Sequence, residues 1–254
     1  MPGTAIIGDV HGCLVELQRL VGSLKEKGVD EFIFVGDLVD KGPDSAGVLR
    51  FVRSLGDENT VIVQGNHENK NFRFWKKVEA DNRDKAMEMK GAEELSAVME
   101  STDQDLRDWL RHKVVPYFRK DFYTVVHGGI TPKLESLPDD PSTLSGKEKK
   151  RVDRVMYTRY VNDAGSMVVF GEETGQDDYW ADIYDGRFGH VFFGHQPFLY
   201  KSMPVSFKHA TGLDLGCVHG GHLCAVIIRD FYAGVNGYVT IKAETVYCDP
   251  LELN

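Results

Sequence analysis

The chain has no long hydrophobic run. Its longest apolar stretches, such as residues 223–228, have the length of a strand and fall far short of the roughly 20 residues that a membrane helix needs. The first residues contain neither the basic part nor the apolar part of a secretory signal. From both absences we expect a cytoplasmic protein that does not attach to a membrane.

Paired cysteines are also missing. The four cysteines, Cys13, Cys217, Cys224 and Cys248, form no C-x-x-C pair and show no zinc-ribbon spacing. This pattern argues against a disulfide framework, and we interpret the cysteines as buried or incidental thiols of a reducing compartment.

Positive charge is in short supply, because 30 Lys and Arg face 39 Asp and Glu and the net charge is −9. A chain with this net charge is not expected to bind extended nucleic acid through a basic surface. Binding of small phosphorylated ligands is still compatible with this charge, since bound divalent cations reverse the sign of the local electric field.

What is present is an alternation of strands and helices typical of an α/β fold. With 254 residues the chain is long enough for one domain that buries roughly three quarters of its unfolded surface. Apolar runs predict strands at 5–7, 32–35, 60–63, 122–126 and 189–193, and antiparallel strands within 223–228 and 238–246. Helical spacing after the first strand, and a second helix opened by Pro43, imply a mostly parallel sheet.

We predict one domain over 1–254, with a charged helical insertion at about 69–113. This insertion either packs on the body by one face or forms a wall of the substrate cleft. Its aromatic residues Phe72, Phe74 and Trp75 could stack on a base beside the cleft or belong to the core.

Polar side chains follow the predicted strands where each strand ends. Three strands run into Gly and then Asp or Asn, at Asp9, Asp37 and Asn66, and two later strands run into His127 and His195. Carboxyl ends of strands meet at the crevice where α/β folds bind ligands. Oxygen and imidazole donors gathered there predict a metal site, whereas each residue taken alone is more often structural.

The spacing suggests how two ions would be held. Asp9 and His11 are two residues apart, so in extended backbone they face one side and can bind one ion. Asp37 can lend its two oxygens to two ions, and Asn66, His127 and His195 would complete the second. This mixed nitrogen and oxygen set suits manganese first, with iron, zinc, cobalt or magnesium as alternatives.

Two ions about 4 Å apart would share a bridging water and clamp the oxygens of an in-line displacement at phosphorus. The predicted reaction is therefore hydrolysis of a phosphoester or phosphoanhydride. His67, next to Asn66, is the natural proton donor to the leaving oxygen, and Asp40 is available to orient and charge its ring.

Five motifs, in this order, resemble the signature of the phosphoprotein phosphatase superfamily of dinuclear metallophosphoesterases: GDVHG at 8–12, GDLVDKG at 36–42, GNHE at 65–68, HGG at 127–129 and GH at 194–195. The resemblance implies a calcineurin-like fold, a central β-sandwich of mixed sheets flanked by helices. It also implies Asp9, His11 and Asp37 on one metal, and Asp37, Asn66, His127 and His195 on the other. The pair of His67 with Asp40 would be the general acid.

Segments 171–175, 180–181 and 213–221 resemble the small bacterial-type branch, which includes symmetrical bis(5'-nucleosyl)-tetraphosphatases, the phosphatase module of polynucleotide kinase-phosphatases and the lambda protein phosphatase. Lys41 stands where most members carry Arg, so it keeps the charge but loses the planar fork. Arg159 is either a second phosphate-binding cation or a plain surface residue. Lys41, Arg159 and Asn66 are the predicted substrate-binding residues.

Four functions remain open from the sequence. The first is symmetrical hydrolysis of diadenosine tetraphosphate to ADP by a hydroxide that bridges two metals. The second is a phosphatase of phosphoserine and phosphothreonine, with or without phosphotyrosine. The third acts on nucleic-acid ends or capped RNA, and the fourth binds phosphate or metal without catalysis.

Overall fold

The computed structural model describes residues 3–120, 122–229 and 235–249. Within these ranges it has thirteen strands and eight α-helices. The strands are β1 Gly3–Ile7, β2 Val29–Phe34, β3 Thr60–Val63, β4 Val114–Val115, β5 Phe118–Lys120, β6 Tyr123–Val125, β7 Tyr160–Val161, β8 Asp178–Tyr179, β9 His190–Phe193, β10 Val205–Ser206, β11 Ala210–Gly212, β12 His222–Ile228 and β13 Val235–Lys242. The helices are α1 Leu14–Glu26, α2 Ser45–Ser54, α3 Asn66–Glu79, α4 Arg83–Met87, α5 Ala92–Ser101, α6 Gln104–Lys113, α7 Gly146–Val152 and α8 Trp180–Ile183.

Two mixed sheets form the centre of the fold. The first has the strand order β13-β12-β1-β2-β3-β4, in which β1 to β4 pair in parallel and β12 and β13 pair antiparallel. The second has the order β10-β11-β9-β6-β5, with β11, β9 and β6 parallel. A short antiparallel pair, β7 and β8, stands apart from both.

Three apolar cores separate the layers. Ile6 and Ile33 of the first sheet share a core with Val125 and Phe192 of the second, so the two sheets pack face to face. A larger core joins the first sheet to α1, α2 and the helices that follow, and a third covers the second sheet on its other side. The predicted β-sandwich of mixed sheets flanked by helices is confirmed.

Local sequence accounts for the first crossover helix. Leu17, Leu20, Val21 and Leu24 are buried at helical spacing in α1, and Gly28 follows with φ +74°, a conformation that glycine adopts without strain. The second predicted helix starts later than Pro43. Asp44 caps it by accepting a hydrogen bond from Gly47 N at 2.7 Å, and the helix begins at Ser45.

Predicted strand positions are confirmed within a few residues, and several short strands were not predicted at all. The last predicted strand, 238–246, lies instead at 235–242 as β13, and it pairs antiparallel with β12 as expected. The strands missed are those of two or three residues, such as β4 and β10, which are too short to show alternation.

Four helices, α3 to α6, occupy residues 66–113 and bury Leu95, Val98, Leu106 and Leu110 against the first sheet's core. Phe74 and Trp75 are 1% and 0% exposed, and Phe72 packs against the same core. Phe74 and Trp75 are therefore core residues and not a base-stacking surface, and Phe72 is partly buried beside them. That residues 1–254 form one domain stays a prediction. Among the described residues, no helix is long and apolar enough to cross a membrane.

Candidate active site

The carboxyl ends of five strands converge on one place. Asp9, Asp37 and Asn66 follow the parallel neighbours β1, β2 and β3, while His127 and His195 follow the parallel neighbours β6 and β9 of the other sheet. The two sheets approach so closely here that a Cβ atom added to Gly194 would lie 1.8 Å from Asp9 Oδ1. The sandwich thus brings the predicted residues together.

Two clusters of side chains there have the spacing of metal ligands. One consists of His11, Asp37 and His67, and the other of Asp37, His127 and His195; in each, the ligand atoms lie within 4.8 Å of one another. Asp37 belongs to both clusters, and its binding of two ions stays a prediction. Its Oδ2 lies 3.3 Å from His127 Nε2 and 3.6 Å from His11 Nε2.

Backbone carbonyls orient two of the imidazoles. His11 Nδ1 lies 3.0 Å from Val39 O, and His127 Nδ1 lies 3.0 Å from Val35 O. A donor bond of this kind fixes the tautomer and leaves Nε2 free to face a metal. Asn66 Oδ1 lies 2.9 Å from His127 Nε2, so the predicted amide ligand reaches the second cluster.

Asp9 lies in the site, but the backbone that follows it does not have the extended conformation that the spacing suggested. His11 has φ +46°, so the backbone from Asp9 to His11 is not extended. It turns because Val10 N and His11 N both donate to Asp37 O, at 3.1 and 2.8 Å. Asp9 Oδ2 accepts from His195 N at 3.0 Å, while its buried Oδ1 has no hydrogen-bond partner.

The site holds an unusual amount of left-handed backbone. Non-glycine residues with positive φ here are His11, Asp37, Asp40, Lys41 and His195. Each such conformation costs on the order of 1–3 kcal/mol and persists only where surrounding contacts impose it. The loops therefore hold these side chains at the expense of local stability.

Glu68 supplies part of that restraint, and the sequence assigned it no role. It is fully buried, and its carboxylate accepts from Asp37 N, Leu38 N and Gly65 N at 2.7–2.8 Å. Burial and the charge of Asp37 raise the pKa of Glu68 to about 7. Its place three residues after the helix cap Gly65 is the capping-box position, a signal that could have identified it.

His67 forms the predicted pair with Asp40. His67 Nδ1 donates to Asp40 Oδ2 at 2.8 Å, and Asn71 Nδ2 donates to Asp40 Oδ1 at 2.8 Å. Ser45 Oγ accepts from Asp40 N at 3.0 Å. His67 Nε2 points toward Asp37, with Oδ2 at 4.0 Å, so the imidazole nitrogen that is free of Asp40 faces the cluster.

The two predicted phosphate-binding cations lie at opposite ends of the site. Lys41 Nζ is 3.2 Å from His11 Nε2 in the first cluster. Arg159 Nη2 donates to His195 O at 2.9 Å beside the second cluster, and its guanidinium lies 4.8 Å from the ring centre of Phe170. Because it is partly buried and bonded to His195 O, Arg159 is not a plain surface residue, and burial lowers its pKa.

The helical segment also contacts this site. Glu94, in α5, accepts a hydrogen bond from the backbone N–H of Lys41. This hydrogen bond connects α5 to the backbone of Lys41, which has the left-handed conformation. It is a second contribution that the sequence did not reveal, since the two positions are far apart in the chain.

Charge in the site is strongly interdependent. Burial lowers the pKa of His11 and His195 well below the ordinary range, which keeps both imidazoles neutral. Burial would also lower the pKa of His127 and raise that of Asp37. Their mutual attraction outweighs it, so that His127 has a pKa of about 9 and Asp37 one well below its usual range.

A further buried carboxylate, Asp214, lies near Asp9, and the sequence assigned it no role. Burial and the charge of Asp214 raise the pKa of Asp9 well above its usual range. Asp214 Oδ1 accepts from Gly216 N at 2.9 Å, which fixes the following loop. Three buried carboxyl groups, Asp9, Asp37 and Asp214, thus gather in the site, which suits the binding of positive ions.

Comparison with known proteins agrees with this geometry. The model of the family described as calcineurin-like phosphoesterase matches residues 4–225. The fold and the site define a metal-dependent phosphohydrolase, and the chain belongs to this calcineurin-like phosphoesterase family.

Its relatives include bis(5'-nucleosyl)-tetraphosphatases of two types. The asymmetrical enzyme PrpE of Oceanobacillus iheyensis is 31% identical over 87% of this chain and 86% of its own length. A symmetrical enzyme of Pseudomonas entomophila is 31% identical over 86% and 88%. A crystal structure of a candidate diadenosine tetraphosphatase superposes with a TM-score of 0.69 at 27% identity, covering 96% of both chains.

The family implies divalent metal ions, and the residues present fit them. The buried Asp9 Oδ1 has no partner, and unpaired buried carboxylate oxygen is costly unless a cation satisfies it. The donors in the two clusters are imidazole nitrogens and carboxylate oxygens, which bind divalent ions of the manganese, iron, cobalt and zinc series.

Proposed function

We propose that the chain hydrolyses bis(5'-nucleosyl) tetraphosphates, and that it cleaves diadenosine tetraphosphate symmetrically into two molecules of ADP. The observation that carries the substrate class is the similarity to tetraphosphatases of both types over nearly the full length of both chains. We choose symmetrical cleavage because segments 171–175, 180–181 and 213–221 resemble the branch that includes the symmetrical enzymes. Lys41 and Arg159 also support the proposal. They lie beside the first and the second cluster respectively, and two separated cations suit a ligand with several phosphates.

In this proposal, Asp9, His11 and Asp37 hold one divalent ion, and Asp37, Asn66, His127 and His195 hold the other. We infer manganese as the ion and the cytoplasm as the location. Ions held there would polarise the phosphoryl oxygens and lower the pKa of a water molecule. Lys41 and Arg159 bind the polyphosphate, and Asn66 also contacts the phosphoryl group.

The chain's own catalytic step is proton transfer. Water attacks phosphorus and gives up one proton to solvent, the P–O bond to the leaving nucleotide breaks, and His67 donates a proton from Nε2 to the leaving oxygen. His67 then regains a proton from solvent. Asp40 positions the ring through its bond to Nδ1. A positioned acid of this kind contributes about 10²- to 10⁴-fold to the rate.

The test is to load the purified protein with Mn²⁺, incubate it with diadenosine tetraphosphate beside a phosphopeptide, and separate the products by chromatography. ADP alone, formed far more efficiently than phosphate from the peptide, supports the proposal. AMP together with ATP would overturn the symmetrical cleavage and leave the substrate class. Intact dinucleotide with phosphate released from the peptide would overturn the substrate class.

Metal analysis of two variants tests the assigned roles. Asp37→Ala should lose bound manganese, because Asp37 belongs to both clusters. His67→Ala should keep manganese but lose turnover, and it should lose least on an activated aryl phosphate whose leaving group needs no proton. Manganese lost equally in both variants would make His67 a ligand, as its place in the first cluster also allows.

A further inference from the structure

A second cluster of metal-ligand side chains lies outside the active site. Cys13, Glu16 and Cys217 are 0–2% exposed, and their sulfur and oxygen atoms lie within 4.8 Å of one another. Nothing in the proposed hydrolysis uses them. Two thiols and a carboxylate together in a buried place differ in kind from the nitrogen and oxygen donors of the active site.

The carboxylate of Glu16 is only half satisfied. Its Oε1 accepts from Glu244 N at 3.0 Å and from Tyr247 OH at 2.9 Å. Its Oε2 is buried and has no hydrogen-bond partner. A buried carboxylate oxygen without a partner is destabilising by a few kcal/mol, so a cation beside it would offset a real cost.

The three residues come from two separate parts of the chain. Cys13 is the cap of α1 and Glu16 lies in its first turn, whereas Cys217 begins a short 3-10 turn, Cys217–His219. That turn is flanked by Gly216 and Gly220, both with positive φ. The cluster therefore joins the start of α1 to the turn that follows Asp214.

We propose that Cys13, Glu16 and Cys217 bind one zinc ion that is separate from the catalytic ions. Thiolate sulfur favours zinc over manganese and magnesium, and with three protein ligands the fourth tetrahedral position would be taken by a water molecule. A disulfide between the two cysteines would satisfy the sulfurs but leave Glu16 Oε2 without a partner. Zinc would satisfy Glu16 Oε2, and each thiol that binds would give up its proton to water, which for Cys13 replaces the weak hydrogen bond that its Sγ donates to His11 O at 3.7 Å.

The position of the ion would serve the active site indirectly. Cys13 follows the loop of His11 and Gly12, and Cys217 follows the loop of Asp214. An ion between them would hold both loops against the start of α1. Zinc at this place would therefore stabilise the fold without taking part in hydrolysis.

Cobalt(II) is the probe for the experiment, because thiolate bound to it gives an intense near-ultraviolet charge-transfer band that nitrogen and oxygen donors do not give. Reduced, metal-free wild type is titrated with Co²⁺ alone while the band is recorded. The free thiols are counted beforehand in denaturant, so that an oxidised sample is recognised. The catalytic site contains no sulfur ligand, so it cannot produce this band.

The proposal predicts that the band saturates when one cobalt ion per chain, separate from the catalytic ions, is bound by thiolate. The double variant Cys13→Ser/Cys217→Ser should abolish the band, and Cys217→Ser alone should lower its intensity by half or more because one thiolate remains. Glu16→Gln should weaken the affinity by roughly tenfold or more, since even a lost outer-shell partner costs 10- to 100-fold. Cys248→Ser is the matched control, because Cys248 is a partly exposed thiol outside the cluster, and it should leave the band unchanged.

No band from the fully reduced wild type at saturating cobalt would overturn the proposal. So would an undiminished band in Cys217→Ser, a band that survives the double variant Cys13→Ser/Cys217→Ser, or a Cys13–Cys217 disulfide found by peptide mapping in protein isolated under nonreducing conditions. The result is independent of the proposed substrate, because the band is read without any hydrolysis. A protein that shows the band but does not cleave the dinucleotide would refute only the proposed function.

Discussion

Replacing Asp40 with Asn removes one acceptor from a position where two donors converge. Asp40 Oδ2 accepts from His67 and Oδ1 accepts from Asn71, both at 2.8 Å, and the carboxylate is fully buried. An amide has a single acceptor oxygen. Whichever way it faces, its NH2 group meets either the His67 donor or the Asn71 donor.

The expected loss follows from that lost bond. A buried hydrogen bond to a charged group contributes about 1.5–3 kcal/mol. If it positions His67 in the transition state, kcat on diadenosine tetraphosphate should fall about 10- to 150-fold. Manganese content should stay at the wild-type level, because Asp40 belongs to neither ligand cluster.

The assay is steady-state hydrolysis of the dinucleotide by manganese-loaded wild type, Asp40→Asn, His67→Ala and the double variant. Asp44→Asn is the matched control, since it makes the same change at the exposed cap of α2, where Asn caps equally well. If Asp40 acts through His67, its replacement should cost little in the His67→Ala background. An equal loss in both backgrounds, or a wild-type rate for Asp40→Asn, would refute the reasoning.

Three further predictions concern the surroundings of the site. Glu68→Gln leaves at least one of three buried N–H donors without an acceptor, so the free energy of unfolding measured with urea should fall by about 1–3 kcal/mol; an unchanged midpoint would count against it. Glu94→Ala removes the acceptor of the Lys41 N–H, and KM for the dinucleotide should rise about tenfold, whereas a change in kcat alone would argue against a role in positioning the lysine. Burial lowers the pKa of His127, but Asp37 raises it to about 9, above the ordinary 6.5. The stability that protonated His127 gives the metal-free fold is present below pH 6.5 and is lost as the pH rises through about 9. Because manganese binds the deprotonated imidazole, its affinity measured by calorimetry should rise up to tenfold per pH unit toward about pH 9 and then level. An affinity that does not change with pH would contradict this.

The principal strands and the positions of the candidate ligands at the strand ends were predictable because they depend on local pattern. A short apolar run predicts a buried strand whatever its neighbours are, and parallel strands bring their carboxyl ends together. Asp9, Asp37 and Asn66 follow from that rule alone. The pairing of His67 with Asp40 was likewise suggested from the sequence, and the 2.8 Å contact agrees with it.

Contacts between distant segments were not predictable. Phe74 and Trp75 were candidates for base stacking, and only the packing of α3 decided that they are core. The place of Glu94 beside Lys41 depends on how α5 lies against the active-site loop. A side chain's partner across the fold leaves no trace in the spacing of its own segment.

The sequence by itself determined the strand ends, the residue types that gather there and hence the class of chemistry, because these depend on local backbone pattern and on the donor properties of each side chain. Only the tertiary structure decided the turn that places His11, whose N–H bonds to Asp37 O instead of continuing a strand. Only it revealed Glu68 beneath three backbone N–H groups, and Cys13 and Glu16 beside Cys217. Hydrogen bonds and close approach between remote segments are properties of the packed chain.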